Sequence, residues 1–98
     1  MSEQIFVWPP PPATVVNLKE EAYDIRIDRK TKWGNPFVVG KDGTREEVIQ
    51  QFDNWFDTQE HLLTALHELK GKRLGCWCSP SACHGDILAR RANALADK

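Results

Sequence analysis

Hydrophobic positions along the chain follow two periods, one typical of strands and one typical of helices. The segment "ATVVNL" (residues 13–18) is a β-branched run that predicts a buried strand. Tyr23, Ile25 and Ile27 alternate strictly with charged residues, which predicts a second, half-buried strand. The segment "KRLGCWC" (residues 72–78) predicts a third strand, whereas residues 37–39 allow at most a short one before an Asp-Gly turn.

Helical periodicity occupies the stretches between and after these strands. Thr44 and Glu47 have the spacing of a capping box, which predicts a helix start, and the apolar stripe that follows is Val48, Ile49, Phe52, Trp55 and Phe56. Thr58 is predicted to cap a second helix that ends at Gly71 and buries Leu62, Leu63, Leu66 and Leu69. The segment "HGDILARRANALA" (residues 84–96) predicts a final helix whose inward residues are Ile87, Leu88, Ala92 and Leu95.

The order of these elements predicts an α/β fold. Strands that alternate with helices favour a parallel sheet with right-handed crossovers, and we expect a small Rossmann-like three-layer domain with a short, mostly parallel sheet. A chain of 98 residues supports one core. Residues 1–13, which contain four consecutive prolines, predict an extended arm, and residues 14–98 form the single domain.

Charge and cysteine usage limit the functional classes. A formal net charge of -1 gives no support for nucleic-acid binding. We expect a cytoplasmic protein without membrane contact, because no run approaches the roughly 20 apolar residues of a bilayer span and no signal-like leader is visible. The cysteine count is odd, and Cys76 and Cys78 are too close for an unstrained disulfide, which favours a reducing compartment.

The cysteines and His84 form the densest cluster of reactive side chains, and three interpretations of it stay open. In the first, Cys76, Cys78, Cys83 and His84 bind zinc, which prefers thiolate and imidazole ligands. The spacing C-x-C-x4-C-H differs from the usual zinc motifs, however. In the second, Cys83 is a nucleophile whose pKa the helix N-terminus lowers, although the adjacent His84 is poorly placed as its base.

In the third interpretation, the turn between the last strand and the last helix is the lip of a small-molecule pocket. Ligands in open α/β sheets bind beyond the carboxyl ends of the strands, where a helix N-terminus receives phosphate. Asn17, the "WGNPF" loop and residues 78–86 each follow a predicted strand and could converge there. Trp33 in that loop is a candidate ligand contact, since a large aromatic side chain is costly to expose. For His84 and Asp86 an equal alternative is structural, a hydrogen-bonding pair at the helix N-terminus in which the aspartate complements the helix dipole.

The strings "VVNL", "YDIRIDR", "KWGNPFVVGKDGTREEVI" and "KGKRLGCWCSPSACHGDILA" together resemble the family catalogued as domain of unknown function 4326, found in bacteriophages and bacteria. The resemblance covers about residues 14–93. It implies a Rossmann-like domain and a nucleotide-related ligand. The family signature maps onto Asn17, Arg29, Trp33, Gly34, Asn35, Pro36, Cys76, Cys78, Pro80, Cys83, His84, Gly85 and Asp86. One position departs from it, because Asp28 stands where the pattern has glycine and places a carboxylate next to Arg29.

We therefore predict a phage or bacterial domain that binds a nucleotide or a nucleotide-derived small molecule. The predicted ligand contacts are Asn17, Arg29, Trp33, Gly34 and Asn35, with Arg29 on phosphate and Trp33 stacked on a base. If the domain is an enzyme, the prediction is action on a glycosidic bond with Asp86 or His84 as acid or base. The alternative is a non-catalytic, zinc-stabilised module that binds a host protein in the host cytoplasm through its proline arm.

Overall fold

Three short parallel strands form the sheet of the computed structural model, which describes residues 12–78 and 81–95. They are β1 (Thr14–Asn17), β2 (Ile25–Arg26) and β3 (Arg73–Cys76), in the spatial order β1-β3-β2. Thr14 lies opposite Arg73 and Asn17 opposite Cys76, while Ile25 pairs with Leu74. The predicted α/β class with a short parallel sheet is confirmed. The Rossmann-like three-layer arrangement stays a prediction, as does the arm, of which residues 1–11 lie outside the described residues.

Strand β2 is shorter than its alternating pattern predicted, although the backbone N–H of Asp24, just before it, still donates to the carbonyl of Arg73. The Asp24 carboxylate accepts the backbone N–H of Arg73, and Asp28 turns its carboxylate back to Arg26. Ile27 still donates its N–H to the carbonyl of Gly75 and is fully buried. The alternation thus predicted the burial of Ile27 correctly, but it overstated the length of the ladder, and Tyr23 is exposed at 39%. Over residues 37–39, Val39 alone makes an isolated bridge, to Gly43.

Helix α1 (Arg45–Phe56) begins at the predicted capping box. The Thr44 hydroxyl accepts the N–H of Glu47 at 3.2 Å, and the Glu47 carboxylate accepts the N–H of Thr44 at 2.8 Å. Its buried residues are Val48, Phe52 and Phe56, with Ile49 and Trp55 half-buried beside them. The helical stripe was therefore predicted correctly from its period.

The second helix differs from its prediction in two respects. Helix α2 (Glu60–Ala65) continues into a 3-10 turn (Leu66–Leu69), and Gly71 follows at a φ of 72°. Its N-cap position is Gln59, and Thr58 instead donates its hydroxyl to the carbonyl of Trp55 at 2.7 Å, at the end of α1. The predicted burial of Leu63 is also wrong, because α2 turns Leu62 and Leu66, four residues apart, to the core and leaves Leu63 at 36% exposure.

Helix α3 (His84–Asn93) packs against α1 and the sheet. Asp53 on α1 accepts hydrogen bonds from Arg90 and Arg91 on α3, the shortest at 2.6 Å from Arg91, and these ion pairs join the two helices. In the part of the chain that the structure describes, no helix has both the length and the apolar character that a bilayer crossing requires.

Candidate functional site

A cavity of about 230 Å³ lies where β3 ends and α3 begins. The segments that follow β2 and β3, the first turn of α3 and one face of α1 enclose it. It is lined by Asp28, Arg29, Asn35, Phe37, Val39, Arg45, Val48, Ile49, Cys76, Trp77, Cys78, Cys83 and His84. The cavity thus occupies the carboxyl end of the parallel sheet, where ligands bind in open α/β folds.

Some of the predicted site residues line this cavity and others do not. Those that do are Arg29, Asn35, Cys76, Cys78, Cys83 and His84, while Asn17, Trp33, Gly34 and Asp86 lie outside its lining. Asn17 instead holds the end of β1 to the segment after β3, since its side-chain amide donates to the carbonyl of Trp77 at 3.2 Å.

The structure places Trp33 in the hydrophobic core rather than at the cavity. The side chain is 3% exposed, and its ring stacks on Phe56 with centroids 6.4 Å apart. Gly34 has a steric function, because a Cβ there would lie 2.6 Å from the Cα of Arg29. The "WGNPF" segment therefore shapes the cavity, because Gly34 lets its backbone lie close to Arg29. Trp33 packs in the core and holds the segment in that position.

Two arginines at the cavity carry charges that no described carboxylate pairs with. Arg29 donates from Nε to the carbonyl of Asn35 at 2.9 Å and from Nη2 to that of Phe37 at 3.1 Å. Arg45, the first residue of α1, donates from Nη1 to the carbonyl of Ala82 at 3.1 Å. These backbone acceptors fix both guanidinium groups without cancelling their charge, and the remaining N–H groups make no bond to another described residue.

The carboxylate of Asp28 pairs with Arg26 and so leaves Arg29 available. Arg26 donates to Oδ2 at 2.8 Å, and the indole N–H of Trp77 donates to the same oxygen at 3.0 Å. The Arg26 bond, with smaller contributions from Trp77 and the backbone of Lys30, lowers the pKa of Asp28 to about 2 against the opposing effect of burial. The carboxylate is therefore ionised at neutral pH, but its charge is already balanced by Arg26.

Trp77 is the exposed aromatic residue of the cavity. Its side chain is 51% exposed, while the guanidinium of Arg26 lies over the ring, 5.8 Å from the centroid. The indole is held by Asp28 and keeps a large apolar surface in contact with solvent. Exposed aromatic surface at a concave site is typical of a ligand contact. The stacking role predicted for Trp33 is thus better matched by Trp77.

His84 forms part of the buried wall. Its Nε2 lies 2.8 Å from the carbonyl oxygen of Ile27 and therefore donates to it, and its ring meets Phe52 edge-on with centroids 5.1 Å apart. Burial lowers the pKa of His84, although the nearby carbonyls of Ile27 and Trp33 oppose that shift. The ring is consequently neutral at pH 7.

Asp86 caps its own helix. Its Oδ2 accepts the N–H of Cys83 at 3.2 Å, and the Cys83 sulfur accepts the N–H of Gly85 at 3.3 Å, so the two residues form a capping box with a thiol in place of a hydroxyl. Asp86 therefore has a structural role at the helix N-terminus, but its partner there is Cys83, whereas His84 bonds to Ile27. Its predicted roles on a ribose hydroxyl or in acid–base catalysis stay predictions.

The three cysteines do not combine with His84 into a metal site. Cys76 and Cys83 are buried with their sulfur atoms 3.1 Å apart, whereas Cys78 is exposed and His84 Nε2 is bonded to Ile27. Across residues 12–78 and 81–95, no three His, Cys, Asp or Glu side chains are placed to hold one ion. The residues present therefore do not fit the predicted zinc. Contact with Cys76 and burial also raise the pKa of the Cys83 thiol, opposite to the lowering expected of a nucleophile.

Comparison with known proteins identifies the family. The sequence pattern described as "Domain of unknown function (DUF4326)" matches residues 15–94. The chain belongs to this family. The predicted membership of this family is thereby confirmed, and the DUF4326 match covers the whole sheet except its first residue and the whole of α3.

Two proteins similar to this chain are viral. An "Uncharacterized 12.4 kDa protein in nrdA-td intergenic region" of Enterobacteria phage T4 is 44% identical over 86 residues, covering 83% of this chain and 78% of its own length. The "Uncharacterized protein R718" of Acanthamoeba polyphaga mimivirus is 32% identical over 66 residues, covering 59% of this chain and 50% of its own length. No solved structure matches. The phage relative supports the predicted link to bacteriophages.

Sequence reasoning missed the contribution of α1 to the cavity. Arg45, Val48 and Ile49 all line it, and their spacing of i, i+3 and i+4 places them on one helix face. That spacing was visible in the sequence, but nothing local indicated that this face turns toward Arg29. Asp28 and Trp77 were missed because each follows a strand end whose position depends on pairing with distant residues.

Proposed function

We propose that the protein binds a small anionic ligand of the nucleotide class in this cavity. The observation that carries the proposal is the pair of guanidinium groups, Arg29 and Arg45, that face one cavity without a carboxylate partner among the described residues. Arginine presents several donors in a planar fork that matches phosphate oxygens, and its charge is retained at every physiological pH. Two guanidinium charges without a carboxylate partner favour the binding of an anion.

The dimensions of the cavity narrow the ligand class. Pockets for drug-sized molecules usually enclose about 300–1,000 Å³. A volume of about 230 Å³ accommodates a phosphate and part of a sugar, and leaves the rest of a larger ligand at the mouth. Trp77 and Val39 are both exposed there, at 51% and 50%, and supply apolar surface on which a base can stack. A phosphate joined to a flat aromatic group therefore matches the site better than a phosphate alone.

The inner wall supplies polar groups that are already oriented. Asn35 is 8% exposed, its side-chain oxygen accepts the N–H of Phe37 at 2.9 Å, and its amide lies 3.4 Å from the carbonyl of Val48. These bonds hold the cavity wall in place before a ligand arrives, which reduces the entropy lost on binding. We therefore assign Asn35 a positioning role, with Arg29 and Arg45 as the direct phosphate contacts.

Calorimetric titration of the full chain with ribonucleoside 5′-monophosphates and with the matching nucleosides tests the proposal. We expect the monophosphates to bind and the nucleosides to bind more weakly, because the arginines contact phosphate. Arg29→Ala and Arg45→Ala should each weaken monophosphate binding about 10-fold, in keeping with the loss of about 1.5–3 kcal/mol for a charged hydrogen bond.

Arg73→Ala is the matched control. Arg73 begins β3 at the other end of the sheet, where it pairs with Asp24, so its removal changes the net charge equally without touching the cavity. If monophosphates do not bind, or if Arg73→Ala weakens binding as much as Arg29→Ala does, the site is not a specific phosphate site and the proposal fails.

Binding does not by itself require chemistry on the ligand. Action on a glycosidic bond stays a prediction, because Asp86 caps α3 outside the cavity lining and His84 is bonded to Ile27. The host-protein interaction module also stays a prediction. The arm on which it depends lies largely outside the described residues, and the residues named for its zinc do not fit that ion.

A further inference from the structure

Two buried thiols form one wall of the cavity and touch each other. The sulfur atoms of Cys76 and Cys83 are 3.1 Å apart, at 2% and 4% exposure, and neither is in a disulfide. A disulfide bond measures about 2.05 Å, so the two sulfur atoms need to approach by about 1 Å to form one. Cys76 is the last residue of β3 and Cys83 is the N-cap of α3, and each lies at the end of its element, where small displacements disturb few backbone bonds.

The third thiol lies at the mouth of the same cavity. Cys78 is exposed and lines the cavity. A solute therefore meets Cys78 before it meets the buried pair. Because accessible thiols react with oxidants and buried ones are protected, the three cysteines divide into one reactive position and two that are held in contact.

We propose that these cysteines are a redox modification site, in which a peroxide oxidises Cys78 and the oxidation passes inward to a reversible Cys76–Cys83 disulfide. This site goes beyond ligand binding. Formation of the Cys76–Cys83 disulfide requires no nucleotide. Only its expected effect on ligand binding in the cavity rests on the proposed function.

The steps balance with hydrogen peroxide as the two-electron oxidant. The Cys78 sulfur takes a hydroxyl group from the peroxide and becomes a sulfenic acid, releasing the first water. The Cys83 thiol then attacks the sulfur of Cys78 and gives its proton to the departing hydroxyl, which leaves as the second water. A Cys78–Cys83 disulfide forms, and the step needs no free thiolate, in keeping with the raised pKa of Cys83. Finally the Cys76 sulfur, which already contacts Cys83, attacks it by thiol–disulfide exchange and returns Cys78 to a thiol. In total, two thiols lose two hydrogen atoms and one peroxide becomes two waters.

The test treats the reduced full chain with hydrogen peroxide, blocks the remaining thiols with iodoacetamide under denaturing conditions, and measures the mass. We expect the number of alkylated cysteines to fall from three to one and to return to three after treatment with a dithiol reductant. Cleavage after Trp77 separates Cys76 from the other two cysteines, so a disulfide-linked pair of peptides whose alkylated cysteine is Cys78 identifies the Cys76–Cys83 bond.

Two variants test the order of the steps. Cys78→Ser should form the same bond at least about 10-fold more slowly, because the exposed entry thiol is gone. Cys83→Ser should retain a Cys78 sulfenic acid that dimedone labels, because its resolving thiol is missing. Three alkylated cysteines in the treated wild-type chain, or a bond only between Cys78 residues of two chains, would overturn the proposal without any variant having to fold. An unchanged rate in Cys78→Ser would also overturn it.

The same samples distinguish this proposal from the proposed function. Titration of reduced and oxidised chains with a ribonucleoside 5′-monophosphate should show weaker binding after oxidation, because the cavity wall has moved. Absence of binding in both states would contradict the proposed function, while the mass measurement would still decide the disulfide.

Discussion

The imidazole Nε2 of His84 donates to the carbonyl of Ile27 across 2.8 Å, so the first turn of α3 is bonded to the residue that follows β2. These residues are 57 positions apart in the chain. The bond fixes the distance between the helix and the strand on either side of the cavity. His84, which the sequence predicted as a catalytic group or metal ligand, therefore has a structural function.

Stability should fall as the pH drops below neutrality because of His84. Its folded pKa is lowered by burial, so its contribution is fully present above the ordinary histidine value of about 6.5 and is lost as the pH falls from there toward the lower folded value. Urea denaturation at pH 7.5 and pH 5.5 measures the difference. His84→Gln, which retains a donor, should show a smaller decrease, and an equal decrease in both proteins would assign the effect to other groups.

The two tryptophans near the cavity should respond to substitution in opposite ways. Trp33→Ala should destabilise the protein by about 3–5 kcal/mol, because it removes a core ring stacked on Phe56. Trp77→Ala should cost about 1 kcal/mol, since half of its side chain is already in solvent, and should instead weaken monophosphate binding. Denaturation and calorimetric titration of both variants decide the matter. Greater destabilisation by Trp77→Ala would reverse the two assignments.

The ion pairs between α1 and α3 should contribute to stability chiefly through one carboxylate. Burial disfavours the ionised form of Asp53, but the bonds from Arg90 and Arg91 outweigh it and lower its pKa. Its side chain is 19% exposed and that of Arg91 17%, so the pair is shielded from solvent. Asp53→Asn should lower the free energy of unfolding by about 2 kcal/mol.

Asp57 provides the comparison for that variant. It also pairs with Arg91, at 2.9 Å, but is 67% exposed, and exposed pairs contribute about 0–1 kcal/mol. Asp57→Asn should therefore have the smaller effect in the same denaturation experiment. Equal losses from the two variants would mean that burial of Asp53 does not strengthen its ion pairs.

Substitution of Gly34 should show how closely the "WGNPF" segment approaches Arg29. In Gly34→Ala the new Cβ would lie 2.6 Å from backbone Cα of Arg29, which cannot move aside as a side chain can, and we expect a loss of about 2–4 kcal/mol. Gly40→Ala is the control, because a Cβ there meets nothing within 4 Å. Its φ of 89° should cost only about 1 kcal/mol. A smaller loss at Gly34 than at Gly40 would contradict the steric explanation.

The elements that sequence predicted well are those whose signals are local. The capping box of Thr44 and Glu47 needs only four consecutive residues, and the stripe of α1 needs only its own period. The cap prediction for Thr58 was wrong because a hydroxyl before a helix can donate to the preceding helix as readily as it can cap the next one. The Cys83 cap of α3 gave no recognisable signal, since a thiol is a weak acceptor and is rarely an N-cap.

The composition of the cavity was harder to predict because it depends on long-range packing. Trp33 lies in a segment without regular structure, and whether its ring turns to a ligand or to the core is decided by Phe56, more than twenty residues further along the chain. Arg45 belongs to the site only because α1 lies over the end of β3. Asn35, in contrast, was predicted from its place in the loop after a strand and Arg29 from the family resemblance, and the parallel sheet brings both to the edge where the cavity lies.

The order β1-β3-β2 has a consequence for how the chain folds. Both earlier strands pair with β3 alone among the described strands, so no part of the sheet can form until residues 73–76 are present. Contacts this distant in sequence slow folding, because the intervening chain must be closed into a loop before they stabilise anything. During synthesis, the edges of β1 and β2 stay unpaired until β3 has been made. Such edges are prone to pair with other chains, and their short length of four and two residues limits that risk.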